Sequence, residues 1–172
     1  MSQAITVDDL RKQVTRMKDR IFRLERGRSV AVGSFSAYQS SNQSMPATTF
    51  TKVLFQTEEY DVSGWYDTST SRFTPQLEGV YSFVAQWTSQ SAMANGQWQV
   101  HLYLNGTTYR AAVMSPQNTG TDNTVAIIAS IRLNGTTDYV EVIGYNPTGS
   151  AVTTRASGRE TFFQANYHGA LN

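Results

Sequence analysis

The residues able to do acid–base chemistry crowd into one stretch: Glu58, Glu59, Asp61, Asp67 and Glu78. Two carboxylates facing each other across a sugar can cleave a glycosidic bond, one as acid and the other as base or nucleophile. Acids on strand edges and loops are also ordinary solvated groups, and nothing in the spacing singles out a pair. The two histidines, His101 and His168, stand alone, without the His-x-x-x-His spacing of a zinc site. His101 falls on the polar side of a strand and reads as a half-exposed residue. No ligand pattern marks a calcium site, and the glycines sit in turns rather than in a phosphate-binding loop. There is no cysteine, so neither a disulfide framework nor thiolate chemistry. The expectation is a protein that is not an enzyme and uses no metal or cofactor. Its loops are rich in Ser, Thr, Asn, Gly, Gln and Tyr, which supply adaptable hydrogen bonds when held on a rigid scaffold. That vocabulary suits binding, with a glycan or a protein as the partner.

The elements that must carry such loops are β-strands. Beyond about residue 29 charges thin out, and Thr, Ser, Asn, Gly and aromatic residues take over. Residues 39–49 read as a polar loop and 51–56 as a short strand. Gly79 to Trp87 places Tyr81, Phe83, Ala85 and Trp87 on one face. Trp98, Val100, Leu102 and Leu104 share a face of the next strand. Asn105-Gly106 then predicts a two-residue hairpin, because both positions of a type I′ turn need positive φ. Val125, Ile127, Ala129, Ile131 and Leu133 share a third face. A second Asn-Gly, at 134–135, predicts another hairpin, returning through Val140 and Val142. Residues 118–123 and 147–158 read as exposed loops. Many short strands divided by turns indicate a β-sandwich or jelly roll. Tyr139, Ile143 and Tyr145 lie opposite Val140 and Val142, so this strand is apolar on both faces. In a monomeric sandwich the outer face is polar, so these three residues are candidates for a subunit interface.

A different pattern precedes the strands. Val7, Leu10, Val14, Met17, Ile21 and Leu24 recur at alternating steps of three and four, an a/d heptad seam that a lone helix cannot hide from water. Thr6 suits the N-cap, Asp8 and Asp9 suit the positive helix end, and Gly27 suits the C′ position. Core shape alone leans toward a dimer. Arg20 to Glu25 resembles instead the short trimerisation signature of coiled coils, in which Arg20 would bridge to Glu25 of a neighbouring helix. The trimer is the favoured reading. Residues 1–28 carry eight Lys/Arg and four Asp/Glu; residues 29–172 carry six and nine. A basic stem can attract nucleic acid, but charged outer positions are the norm in coiled coils, and nucleic acid is not the expected partner. The N-terminal residues show no apolar signal region, and no run approaches the ~18 apolar residues of a membrane span. The expected organisation is an N-terminal anchor at 1–5, a coiled-coil stem at 6–28 and a head at 29–172.

Phe55, Asp61, Tyr66, Phe73, Gly79, Tyr81 and Phe83 stand at the spacing F-x5-D-x4-Y-x6-F-x5-G-x-Y-x-F. This resembles the signature of the globular head of complement component one-q, in the tumour-necrosis-factor-like superfamily. The family pattern calls next for an aromatic residue where this chain has Ala85, with Trp87 following. Phe35-Ser36-Ala37 resembles the family's opening strand and Tyr167 to Leu171 its closing strand. The resemblance implies a ten-stranded jelly roll, assembly as a tight trimer, and a structural role for Asp61. The family's stalk is often collagen-like; here a coiled coil takes its place. A compact coiled coil with such a head resembles virion proteins of tailed bacteriophages: tail-fibre tips, minor tail proteins, and capsid fibres or decoration trimers. The expected location is therefore the virion. The stem would join other virion proteins, and the head would serve host adsorption. Particle decoration or a stand-alone lectin-like module are the alternatives.

Overall fold

A computed structural model describes residues 6–27, 32–90, 96–116, 123–156 and 159–170, with no side chains given at 9 and 19–27. The chain divides into two compact units, Met1–Ala31 and Val32–Asn172. In the first, α1 spans Val7–Gly27. The Thr6 carbonyl accepts its first backbone hydrogen bond, from Leu10 N–H at 3.1 Å, as an N-cap should. Val7, Leu10, Val14 and Met17 are 67, 49, 45 and 56 % exposed. The side chains of Ile21, Leu24, Arg20 and Glu25, and the anchor at 1–5, lie outside the described residues. Among the described residues no helix is long and apolar enough to cross a membrane.

The second unit is built of β1 (Phe35–Tyr38), β2 (Ser44–Met45), β3 (Phe50–Lys52), β4 (Thr57–Asp61), β5 (Tyr66–Asp67), β6 (Arg72–Phe73), β7 (Gly79–Thr88), β8 (Trp98–Leu104), β9 (Thr107–Met114), β10 (Thr124–Leu133), β11 (Val140–Tyr145), β12 (Val152–Thr153) and β13 (Phe162–Gly169). One sheet runs β10-β7-β13-β1-β4. The second runs β5-β6-β11-β8-β9, with β3 also on β11, and β12 pairs β2. All of these pairs are antiparallel. The non-sequential strand order is that of a jelly-roll sandwich.

Strict alternation builds the core. In β7, Tyr81, Phe83, Ala85 and Trp87 are fully buried, and Trp87 meets Trp98 of the other sheet at 5.6 Å between rings. Trp87 supplies on the same face the aromatic bulk absent at Ala85. Phe35 bridges the sheets from β1, stacking on Tyr66 at 4.8 Å and Phe73 at 4.7 Å, with Phe163 edge-on at 4.9 Å. Asp61 holds the turn before β5: its carboxylate accepts N–H from Ser63 (3.2 Å), Gly64 (3.0 Å) and Tyr66 (2.7 Å). The Tyr66 hydroxyl donates to the Phe55 carbonyl at 2.8 Å, tying two members of the seven-residue signature together.

Four expectations change. Asn105-Gly106 is the expected hairpin, with φ of 53° and 79°, but Asn134-Gly135 is not. β10 pairs β7 as far as Leu133↔Gly79, whereas β11 belongs to the other sheet, so 134–139 crosses between sheets. The Asn134 side-chain oxygen caps this crossing by accepting N–H from Thr136, Thr137 and Asp138. The 51–56 strand is shorter, Phe50–Lys52, although Val53 N–H still donates to Val142 O. The 39–49 segment is not simply a polar loop. Gln39 and Met45 are fully buried; Gln39 Nε2 donates to Leu54 O at 3.2 Å, and Gln39 Oε1 accepts from the Thr154 hydroxyl. Finally, His101 is 7 % exposed, not half-exposed.

Candidate binding surface

β11 alternates about the second sheet. Val140, Val142 and Gly144 point inward; Glu141, Ile143 and Tyr145 point outward, with Tyr139 just before them. Register sets their neighbours: Tyr145 stands between Gln99 of β8 and Phe50 of β3, and Ile143 between His101 and Lys52. Gln99 in turn faces Val113, and His101 faces Ala111. The outer face thus carries two parallel rows, Val113–Gln99–Tyr145–Phe50 and Ala111–His101–Ile143–Lys52. Phe50 sits 4.7 Å from Tyr145 and edge-on to His101 at 5.0 Å, and His101 lies 6.0 Å from Tyr103. Ile143, a candidate subunit contact by sequence, is only 6 % exposed in the single chain, so it needs no partner to leave water. Phe50, which the sequence did not single out, is 51 % exposed.

Charge is concentrated beside these rings. Glu141 is 5 % exposed, and its Oε2 accepts from Lys52 Nζ at 2.5 Å and from Arg72 Nε at 2.9 Å. The Arg72 guanidinium lies 4.2 Å above the Tyr139 ring. Burial pushes the Glu141 carboxyl up, but the two hydrogen bonds and the two positive charges outweigh it and hold it below its ordinary value. Burial also pushes the His101 imidazole down, favouring the neutral ring. Its Nε2 is 2.7 Å from Gln99 Oε1 and its Nδ1 3.3 Å from Thr108 Oγ1. A depressed carboxyl pKa adds stability above the unfolded value, about 4.3, which is lost as pH falls through the folded value. Glu141→Gln should therefore cost about 1–2 kcal/mol at pH 7, with the difference from the parent shrinking below about pH 4. Thermal unfolding of both proteins across that range checks this; a constant difference contradicts it.

The opposite face, on the five-stranded sheet, differs in kind. Around β7 and β10 its exposed residues are small or polar with a few aliphatics, whereas Tyr38, Tyr60 and Phe162 lie toward the β1–β4 side. Ile128 is 77 % exposed and pairs in register with half-buried Val84. Ser82 and Ser130 hydroxyls lie 3.1 Å apart, and His168 Nε2 is 2.6 Å from Ser82 Oγ.

The five acids of the sequence do not converge. Glu59 pairs with Arg159 and accepts from Ser36, Glu78 pairs with Arg132 at 2.6 Å, and Asp61 holds its turn. Asp67 is held by Ser69 and Thr70, which pull its carboxyl below the ordinary value. Glu58 lies exposed on β4. Among the described residues no group of three or more His, Asp or Glu is placed to hold a metal ion.

Two interlocked antiparallel sheets, an aromatic bridge at Phe35 and an acid-capped turn at Asp61 define a jelly-roll head of the tumour-necrosis-factor-like kind. The C1q domain pattern matches residues 34–163, and the chain belongs to the C1q domain family. No curated protein matches the chain significantly. Solved structures share the fold at low identity. The globular domain of zebrafish complement 1qA protein is 16 % identical at a TM-score of 0.56, covering 80 % of this chain and 98 % of that one. Murine APRIL is 13 % identical at 0.61, covering 78 % and 98 %. The PRD1 vertex protein P5 is 11 % identical at 0.55, covering 79 % and 96 %.

Proposed function

We propose that this chain is a homotrimeric virion protein of a tailed bacteriophage. Residues 1–28 anchor it to the particle, and the head contacts the host surface as a binder rather than an enzyme. The observation that carries the oligomeric part is the seam of α1, where four successive a and d residues stand about half in water. Removing such a row from water by helix association is the usual solution for this pattern. Membership of the C1q domain family supports three as the number of copies, as does the likeness of Arg20–Glu25 to a trimerisation signature. Similarity in fold to a phage vertex protein supports the virion setting.

In the head we place the subunit contact on the five-stranded face around Val84 and Ile128, rather than at Tyr139, Ile143 and Tyr145. Ile128 is the most exposed large apolar residue described, and its small neighbours allow close approach. The outer face of the other sheet then stays open three times over, so weak sites gain by avidity. Purified protein should bind host cells and slow phage adsorption, and removing residues 1–28 should abolish incorporation into particles. Incorporation of the shortened chain would refute the anchor. A trimer that joins particles without binding cells would favour decoration of the capsid.

A further inference from the structure

We propose that the outer face of the six-stranded sheet binds an acidic oligosaccharide, with one ring on Phe50 and the carboxylate of another of its sugars on Arg72. This rests on the reading of the head as a surface binder and names the ligand class of that surface. Phe50 is half open to water, and its ring is held by Tyr145, tilted 36° at 4.7 Å, and by His101, near-perpendicular at 5.0 Å. An immobilised ring of this kind presents apolar area to the C–H face of a pyranose at little entropic cost.

The charge balance selects an anion. Lys52 and Arg72 share one buried carboxylate, which leaves the trio with an excess positive charge. Arg72 uses only Nε on Glu141; its terminal nitrogens make no hydrogen bond among the described residues, and its side chain is 38 % exposed. A guanidinium with its fork free is the group best shaped to take a carboxylate through two parallel bonds. Asp67, across the β5–β6 pair from Arg72, is fully exposed and engaged by Ser69 and Thr70, so water screens its opposition. Phe50 pairs with Tyr145 and Arg72 sits beside Glu141, four residues along β11 or about 13 Å, the scale of two to three linked sugars. Around them the Tyr103, Tyr139 and Tyr145 hydroxyls make no hydrogen bond among the described residues and suit sugar hydroxyls.

The test titrates the full chain with hexagalacturonic acid and with neutral maltohexaose, by calorimetry at low salt. The acidic hexamer should bind at least about tenfold more tightly, and about 0.5 M salt should weaken it severalfold. Phe50→Ala and Arg72→Gln should each weaken it at least about tenfold. Because Arg72 also holds Glu141, thermal midpoints accompany both variants; Phe50 is half-exposed, and its variant decides if Arg72→Gln unfolds. Equal affinity for both hexamers, no binding of the acidic one up to about 10 mM, or unchanged binding by Phe50→Ala overturns the inference. A trimer that enters particles but ignores the acidic hexamer refutes this site alone; a chain that binds it yet never enters particles refutes the virion reading alone.

Discussion

Gly135→Ala is expected to unfold the head or bring it close to unfolding. Gly135 has a φ of +69°, and a Cβ there would lie 2.3 Å from Glu78 N and 2.5 Å from the Leu77 carbonyl carbon. Both are backbone atoms of the segment leading into β7, so relief requires moving an interior strand of the five-stranded sheet, paired on both sides. The left-handed conformation alone costs a non-glycine residue about 1–2 kcal/mol. With the overlap the total should reach about 3 kcal/mol or more, lowering the thermal midpoint by roughly 10 °C for a head of this size. Gly64→Ala is the matched control. Its φ is +67° and nothing lies within 4 Å of the added carbon, so only the conformational cost of about 1 kcal/mol applies. Equal midpoints for the two variants would mean that the 134–139 crossing does not press on residues 77–78 as described.

The second large effect concerns the seam. Leu10→Asp together with Val14→Asp puts two charges at consecutive d and a positions. Burying an unpaired carboxylate costs several kcal/mol per helix, so association through α1 should be lost. A lone helix of this length is marginal in water, so its helical signal should disappear and residues 6–27 should become protease-sensitive. The head's β signal and thermal midpoint should stay within about 0.5 kcal/mol of the parent. A stem still helical and resistant to protease would show that those positions do not face a helix–helix interface.

Much of the head was legible because its signals are local. The alternation through Tyr81, Phe83, Ala85 and Trp87 already fixes which side of β7 is buried. The Asn105-Gly106 dipeptide sets a hairpin because its flanking strands do pair. The identical dipeptide at 134–135 misled, since sheet membership is a long-range property: β10 is claimed by β7 and β11 by β8. Gln39 looked like a loop residue because its role is set by Thr154, far away in sequence. His101 looked half-exposed because its cover, Phe50, comes from β3 rather than from its own hairpin. The binding surface was partly legible for the same reason. Apolar residues at 139, 143 and 145 drew attention to the face, but as a subunit contact rather than a ligand site. That Ile143 is already covered, and that Glu141 draws Lys52 and Arg72 beside an open Phe50, follows only from the register of β3, β6 and β11.

The mass of the intact chain in solution tests the central claim most directly. Sedimentation equilibrium at micromolar concentration should give three times the 19.1 kDa chain mass. A species of one or two chain masses would contradict the trimer, and with it the multivalent host-binding head.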